Sequence, residues 1–167
     1  MATKQKPKQI WASDLGIDLA SGDEREIFRW FLACLLFGKP IQQSVSQATY
    51  HEFIKAGLDT PQAILKTSWG DLVKVLGRGH YVRYDESTAT KLHKVMKHLI
   101  TEWDGSLVKL HNESKDTREL VQNLLSFYGV GPTTVVIFLR EMKNHWPKAK
   151  VKKKHKDEFS LPPEKKP

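Results

Sequence analysis

The sequence predicts an all-α fold. Apolar residues recur at helical spacing between residues 23 and 146. Residue types that open and close helices punctuate that stretch, and no segment of comparable length alternates apolar and polar at period two. At 167 residues, with 40% apolar and 28% charged side chains, the chain has material for one core rather than two. Five Trp, seven Phe and four Tyr supply large surfaces to bury in it.

Seven helices are expected in order. Asp23 stands at an N-cap position with Glu26 three residues on, the spacing of a capping box, and Ile27, Phe31, Cys34 and Leu35 follow as one apolar stripe. Gly38 and Pro40 end that helix and start a second, which runs through Val45, Ala48, Tyr50 and Phe53 to Gly57. Thr60 with Pro61 opens a third, and Ser68 with Asp71 opens a fourth that Gly77 closes. After the polar, aromatic loop GRGHYVRYDES, either Asp85 or Ser87 caps a long fifth helix through Leu92, Val95, Met96, Leu99 and Ile100. Asp116 and Glu119 open a sixth, and Pro132 sits in the first turn of a seventh. Trp30, Trp69, Trp103 and Trp146 follow helix edges, where packing is expected of each.

The net charge of +8 is unevenly placed. Lys4, Lys6 and Lys8 give the first nine residues +3, eight Lys against three acids give residues 147–167 +5, and residues 10–146 hold sixteen bases and sixteen acids. The basic balance therefore belongs to two tails and does not by itself assign an anionic partner to the domain. Residues 1–22 are taken as an N-terminal extension, 23–146 as the helical domain, and 147–167, with four Pro and little apolar content, as a disordered Lys-rich tail. That tail reads equally as a solubilising segment or an electrostatic arm for nucleic acid. No apolar run reaches the ~18 residues needed to span a bilayer, and the first ten residues lack the apolar stretch of a signal peptide. The expected location is cytoplasmic, nucleoid-associated in a prokaryote, with no membrane partner. One cysteine, Cys34, excludes an internal disulfide and a cysteine-rich cluster. His93 and His98, five apart on a helix, do not share a face, so no metal site is expected.

One motif is sharp. LLSFYGVGPTTVVIFL, residues 124–139, reads as a helix, a G-V-G-P-T-T bend and a second apolar helix. Gly129 and Gly131 leave room for a phosphate to approach the backbone. The amides of that turn face outward at a helix N-terminus, where partial positive charge favours an anion, while Val130 tucks between the helices. This is the construction of a helix-hairpin-helix, expected over residues 120–145, a device that holds DNA backbone without reading bases; an ordinary tight turn between two helices is the alternative.

The stretch from Glu24 to Pro147 resembles the helix-hairpin-helix (HhH-GPD) superfamily of DNA glycosylases, in an endonuclease III-like form. FLACLLFGKPIQQSVSQAT, AILKTSWGDLVKVLGRG and the hairpin carry the resemblance. It implies a two-lobed helical fold, truncated here at the C-terminal side, with a cleft that takes a flipped nucleotide. It also implies backbone contacts from Gly129, Val130, Gly131, Thr133 and Thr134, and contacts from Lys39 and Gln42 in the turn where the family keeps a gap-filling glutamine. The departures decide the chemistry. Thr133 stands where lyase members place the Schiff-base lysine, so no imine is expected. Lys152 stands where the family's aspartate would fall. The four cluster cysteines are absent, so no iron-sulfur cofactor is expected, and a monovalent cation at the hairpin stays open.

Glycosidic cleavage needs a carboxylate near the sugar. Asp85 is one candidate catalytic acid, on a loop where Tyr81 and Tyr84 are placed to stack on a base and Arg78 and Arg83 to hold phosphate; the plainer reading makes Asp85 a helix cap and has the tyrosines cover the adjacent core. Glu141, two turns past Thr133, is the second candidate, with a surface ion pair as its plainer role. The function expected is a monofunctional DNA N-glycosylase, a hydrolase of base-excision repair without lyase activity. A non-catalytic DNA-binding or lesion-sensing module is the alternative.

Overall fold

The structure, a computed structural model, describes residues 9–150 together with the backbone of 152–155 and 158–160. Among these residues there are eight α-helices: α1 (Glu24–Phe37), α2 (Gln43–Lys55), α3 (Pro61–Lys66), α4 (Trp69–Arg78), α5 (Asp85–Trp103), α6 (Leu107–Glu113), α7 (Thr117–Leu125) and α8 (Pro132–Met142). The domain is all-helical, as the periodicity requires. No described helix is long and apolar enough to cross a membrane.

Helix α1 is the axis of the core. Every residue from Trp30 to Leu36 is at most 1% exposed, so the expected stripe is instead a helix buried all round over two turns. It packs on α2, α6 and α8, while α5 packs on α3, α4 and α6. Trp30 Nε1 donates to the Phe138 carbonyl (3.3 Å), and Phe31 meets Phe138 edge-on with centroids 5.4 Å apart, which locks α1 to α8.

Local caps form where the sequence puts them. Thr60 accepts from the Ala63 amide (3.1 Å), Ser68 from Asp71 (3.1 Å) and Asp116 from Glu119 (2.9 Å). Asp23 accepts from the Arg25 amide (2.7 Å), but the box is not closed, because Glu26 turns away to the Asp18 amide and to Arg29. Helix α2 opens at Gln43, later than Pro40, and α4 runs through Gly77 to a cap at Gly79. Neither Asp85 nor Ser87 caps α5; Tyr84 holds that position, and Asp85 is the first helical residue.

The extra helix, α6, has seven residues and is not among the seven expected. Ser106 caps it, and Glu24 reaches across from α1 to accept from Ser106 Oγ and from the Leu107 (3.1 Å) and Val108 (3.3 Å) amides.

Both ends of the domain extend further than the sequence suggests. Residues 9–22 wrap onto the core in two 3-10 turns, Ala12–Leu15 and Leu19–Ser21, and bury Ala12, Leu15, Ile17 and Leu19. Beyond α8, Trp146 stacks on His111 (4.7 Å, 19°) and Ala149 is fully buried. Lys148 Nζ donates to the carbonyls of His111 and Asn112, each at 3.1 Å. Residues 147–150, counted with the tail from composition, thus belong to the folded domain. Further on, the backbone of Lys152–His155 pairs antiparallel with Glu158–Ser160, in the register Lys152 to Ser160 and Lys153 to Phe159. Backbone groups pair whatever the side chains, which is why composition alone missed this ladder. Residues 1–8, 151, 156–157 and 161–167 lie outside the described residues.

Candidate nucleic-acid interface

The hairpin between α7 and α8 is built by alternating burial. Phe127 (2% exposed) and Val130 (7%) enter the core, while Tyr128 (52%) is turned outward. Gly129 makes the bend at φ +71°, a conformation that favours glycine. Gly131 is the N-cap of α8 with extended backbone (φ −110°, ψ −178°), and Pro132 follows at its first position.

Intrachain hydrogen bonding resumes at Val135, whose amide donates to the Gly131 carbonyl (3.2 Å). The amides of Gly129, Gly131, Thr133 and Thr134 have no acceptor among the described residues. They form a set of bare donors at the positive end of an eleven-residue helix. Two of the expected contact residues are corrected by the same geometry. Val130 donates its amide to the Phe127 carbonyl (3.1 Å), so it anchors the hairpin and offers nothing outward. The Thr134 side chain is buried at 4% exposure and packs beside Gly38, leaving only its amide. Thr133 is exposed.

The end of α1 comes up against this hairpin. A Cβ on Gly38 would lie 2.8 Å from Thr134 Oγ1, and one on Gly129 would lie 2.7 Å from Cδ of Lys91. Lys91, on α5, is buried at 4% exposure, and nothing in its local sequence singles it out. Its Nζ donates to the Leu35 carbonyl (2.9 Å) in the last turn of α1, where the helix dipole favours a cation. Burial, with Lys39 nearby as a second cause, lowers its pKa to about 8. The neighbouring Leu36 carbonyl accepts from Tyr81 Oη (2.6 Å) and Ser46 Oγ (3.3 Å). Buried hydrogen-bond donors therefore satisfy the carboxyl end of α1 and fix it under the hairpin.

That arrangement sorts the loop residues. Tyr81 is fully buried, its hydroxyl pushed up to about 12 by burial; of its two expected roles it takes that of core cover and is not available for stacking. Tyr84, half-buried, lies under two cations: Lys39 Nζ is 5.4 Å and the Arg83 guanidinium 5.3 Å from its ring centroid. Arg78 sits apart, lining the groove between α2 and α4 with Glu52 and Lys55. Gln42 is exposed as the N-cap of α2, without a side-chain cap bond.

The two carboxylates part company. Asp85, half-buried, opens α5 next to Tyr84, and its Oδ1 accepts from the adjoining Glu86 amide (2.6 Å). It precedes Lys91 by six residues, about 9 Å along the helix axis. Glu141 is engaged elsewhere: its Oε1 accepts from the Ala12 amide (2.7 Å). Beside it Arg140 donates to the Ile10 carbonyl (2.7 Å) and covers the Trp11 ring at 4.6 Å. Glu141 is thus a clamp on the N-terminal segment, neither a cleft acid nor the surface ion pair expected otherwise. Its partner is 129 residues away in sequence, beyond any local pattern.

Lys39, Arg83, Tyr84, Asp85, Lys91 and the hairpin amides thus converge from three distant segments. The chain matches no family model, no curated protein and no solved structure.

Proposed function

We propose that the protein binds DNA through its phosphate backbone and acts as a monofunctional N-glycosylase of the two-lobed helix-hairpin-helix type. The observation that carries the reading is the set of bare amides at Gly129, Gly131, Thr133 and Thr134, with Lys39 and Arg83 close to the same end of α1 and α5. Such donors hold a phosphate oxygen with no side chain in the way. Tyr84, backed by two cations, is the ring left to meet an extruded base, and Asp85 is the carboxylate left to act at the sugar. The reading has no imine step: Thr133 cannot form one, and Lys91 is buried with its Nζ bonded to the Leu35 carbonyl.

Gly131→Asp tests the backbone grip. Aspartate is a good N-cap, and a Cβ at this position meets nothing within 4 Å, so the melting temperature is expected to hold or rise. Its carboxylate occupies the Thr133 and Thr134 amides and repels phosphate, and duplex affinity is expected to fall by at least about tenfold, ~1.4 kcal/mol. Unchanged affinity rejects the hairpin as the DNA site. For the chemistry, alkylated, oxidised and uracil-containing duplexes are expected to lose a free base without strand nicking. Asp85→Asn is expected to abolish that release and Glu141→Gln to retain it.

The engagement of Glu141 favours a second reading, a non-catalytic lesion sensor, since it leaves a single candidate acid. Binding that survives with no base released from any of these duplexes selects that reading.

A further inference from the structure

Among the described residues, four large apolar side chains are substantially exposed: Trp11 at 41%, Trp69 at 43%, Val82 at 61% and Tyr128 at 52%. Trp11 is already covered by Arg140. Two of the others are tied to one face of α5. Trp69 Nε1 donates to Thr90 Oγ1 (3.0 Å), and Lys94 Nζ lies 4.1 Å from the Tyr128 ring centroid. Thr90 and Lys94 are one turn apart, about 6 Å along the axis. Trp69, expected to pack inward, is held at the surface by its polar edge, and Tyr128 by the Gly129 bend that sends its neighbours Phe127 and Val130 into the core.

We infer that this face is a track for unpaired nucleotides, so that the preferred substrate class is a duplex adjoining a single-stranded stretch; the inference rests on the hairpin being the DNA site. Three observations meet here. Both rings are oriented by a hydrogen bond or a cation, so little freedom is lost when a base stacks on them. From Thr90 to Thr101 the helix carries Lys91, Lys94 and Lys97 and no carboxylate, with Lys94 and Lys97 exposed, which suits a phosphate backbone. Tyr128 adjoins Gly129, the first of the bare amides, so a strand held at the hairpin continues directly onto the track. A fully paired duplex keeps its base faces stacked on one another and has nothing to offer the two rings. An unpaired strand supplies base faces and phosphates together.

The test is anisotropy titration of the full chain against three labelled DNAs: a blunt duplex, the same duplex with an extension of about six nucleotides, and that extension alone. The extended duplex is expected to bind at least about tenfold tighter than the blunt one. Trp69→Ala and Tyr128→Ala should each weaken the extended duplex by about fivefold or more, leaving the blunt duplex unchanged. Trp69→Phe and Tyr128→Phe, which keep a ring, restore most of the loss, and Lys94→Gln weakens the extended duplex in the same selective way. Equal affinity for blunt and extended duplexes, or alanine variants indistinguishable from wild type on the extended one, overturns the inference; a surface that serves a protein partner gives this result. If blunt-duplex binding stays intact and sensitive to Gly131→Asp in that case, the hairpin reading survives. Absence of binding to all three DNAs removes both.

Discussion

Replacing Asp59 by alanine is expected to cost about 2 kcal/mol of stability, within the range for losing hydrogen bonds to a charged group, since the arginines it leaves behind stay partly open to solvent. Asp59 is 3% exposed in the turn between α2 and α3, and it takes hydrogen bonds from both arginines of α1 that face it. Arg25 donates twice (2.8 and 2.9 Å), and Arg29 donates at 2.7 Å while also bonding Glu26 at 2.9 Å. One carboxylate thus joins the start of the central helix to the α2–α3 turn. Without it, Arg29 is left half-buried with Glu26 alone.

The pH dependence identifies the cause. Burial taken alone would raise the Asp59 carboxyl, but the hydrogen bonds from Arg25 and Arg29 outweigh it and hold the pKa below the usual carboxylate value. A group with a depressed folded pKa contributes stability that is fully present above its unfolded value, about 3.9, and is lost as the pH falls through the folded one. Urea unfolding from pH 7 downward should therefore show the gap between wild type and Asp59→Ala narrowing below about pH 4. A gap that stays constant down to the acid transition assigns the loss to packing instead of the ion network.

The span of each interaction decides whether the sequence makes it legible or hides it. Thr60, Ser68 and Asp116 each cap an amide three residues on, and a spacing that short is visible in the letters. The hairpin is legible for the same reason, because Gly129, Val130, Gly131 and Pro132 write a bend, a buried plug and a helix start in consecutive positions. Glu24, Glu141 and Lys91 look like ordinary surface charges on their helices. Their partners are Leu107, Ala12 and Leu35, placed by tertiary packing with no local trace. The candidate interface divides along that line. Its bare amides are a local feature, whereas the convergence of Lys39 with Tyr84, and of Lys91 with Gly129, depends on how α1, α5 and the hairpin pack. Tyr81 lies on the same side of that line: in a polar loop a tyrosine reads as a stacking residue or as cover for the core, and the fold decides by sending its hydroxyl to the Leu36 carbonyl.

Gly77 and Gly79 are nearly indistinguishable in sequence, yet opposite results are expected from changing them to alanine. At Gly77, inside α4, an added Cβ meets nothing within 4 Å, and removal of a helical glycine is expected to stabilise by about 0.5–1 kcal/mol. At Gly79, the cap of the same helix, the added Cβ would sit 2.5 Å from Thr49 Cα and 2.7 Å from Thr49 Cβ. Thr49 is fully buried on α2 and back-bonded to the Val45 carbonyl (2.7 Å), so neither it nor the backbone can yield cheaply. The two helices must separate, at a cost of about 3 kcal/mol, the upper range for overpacking. The displacement also reaches the interface. Gly79 leads into His80, held at φ +66°, then into Tyr81 on the Leu36 carbonyl, and so sets where Arg83 and Tyr84 stand relative to Lys39. Chemical denaturation should separate the two variants by more than about 3 kcal/mol. Any folded Gly79→Ala protein should bind DNA more weakly than Gly77→Ala, because its hairpin is intact but the side chains beside it have moved. Equal stability for the two would mean that α2 and α4 do not pack through this glycine, and would leave the position of Tyr84 without its structural support.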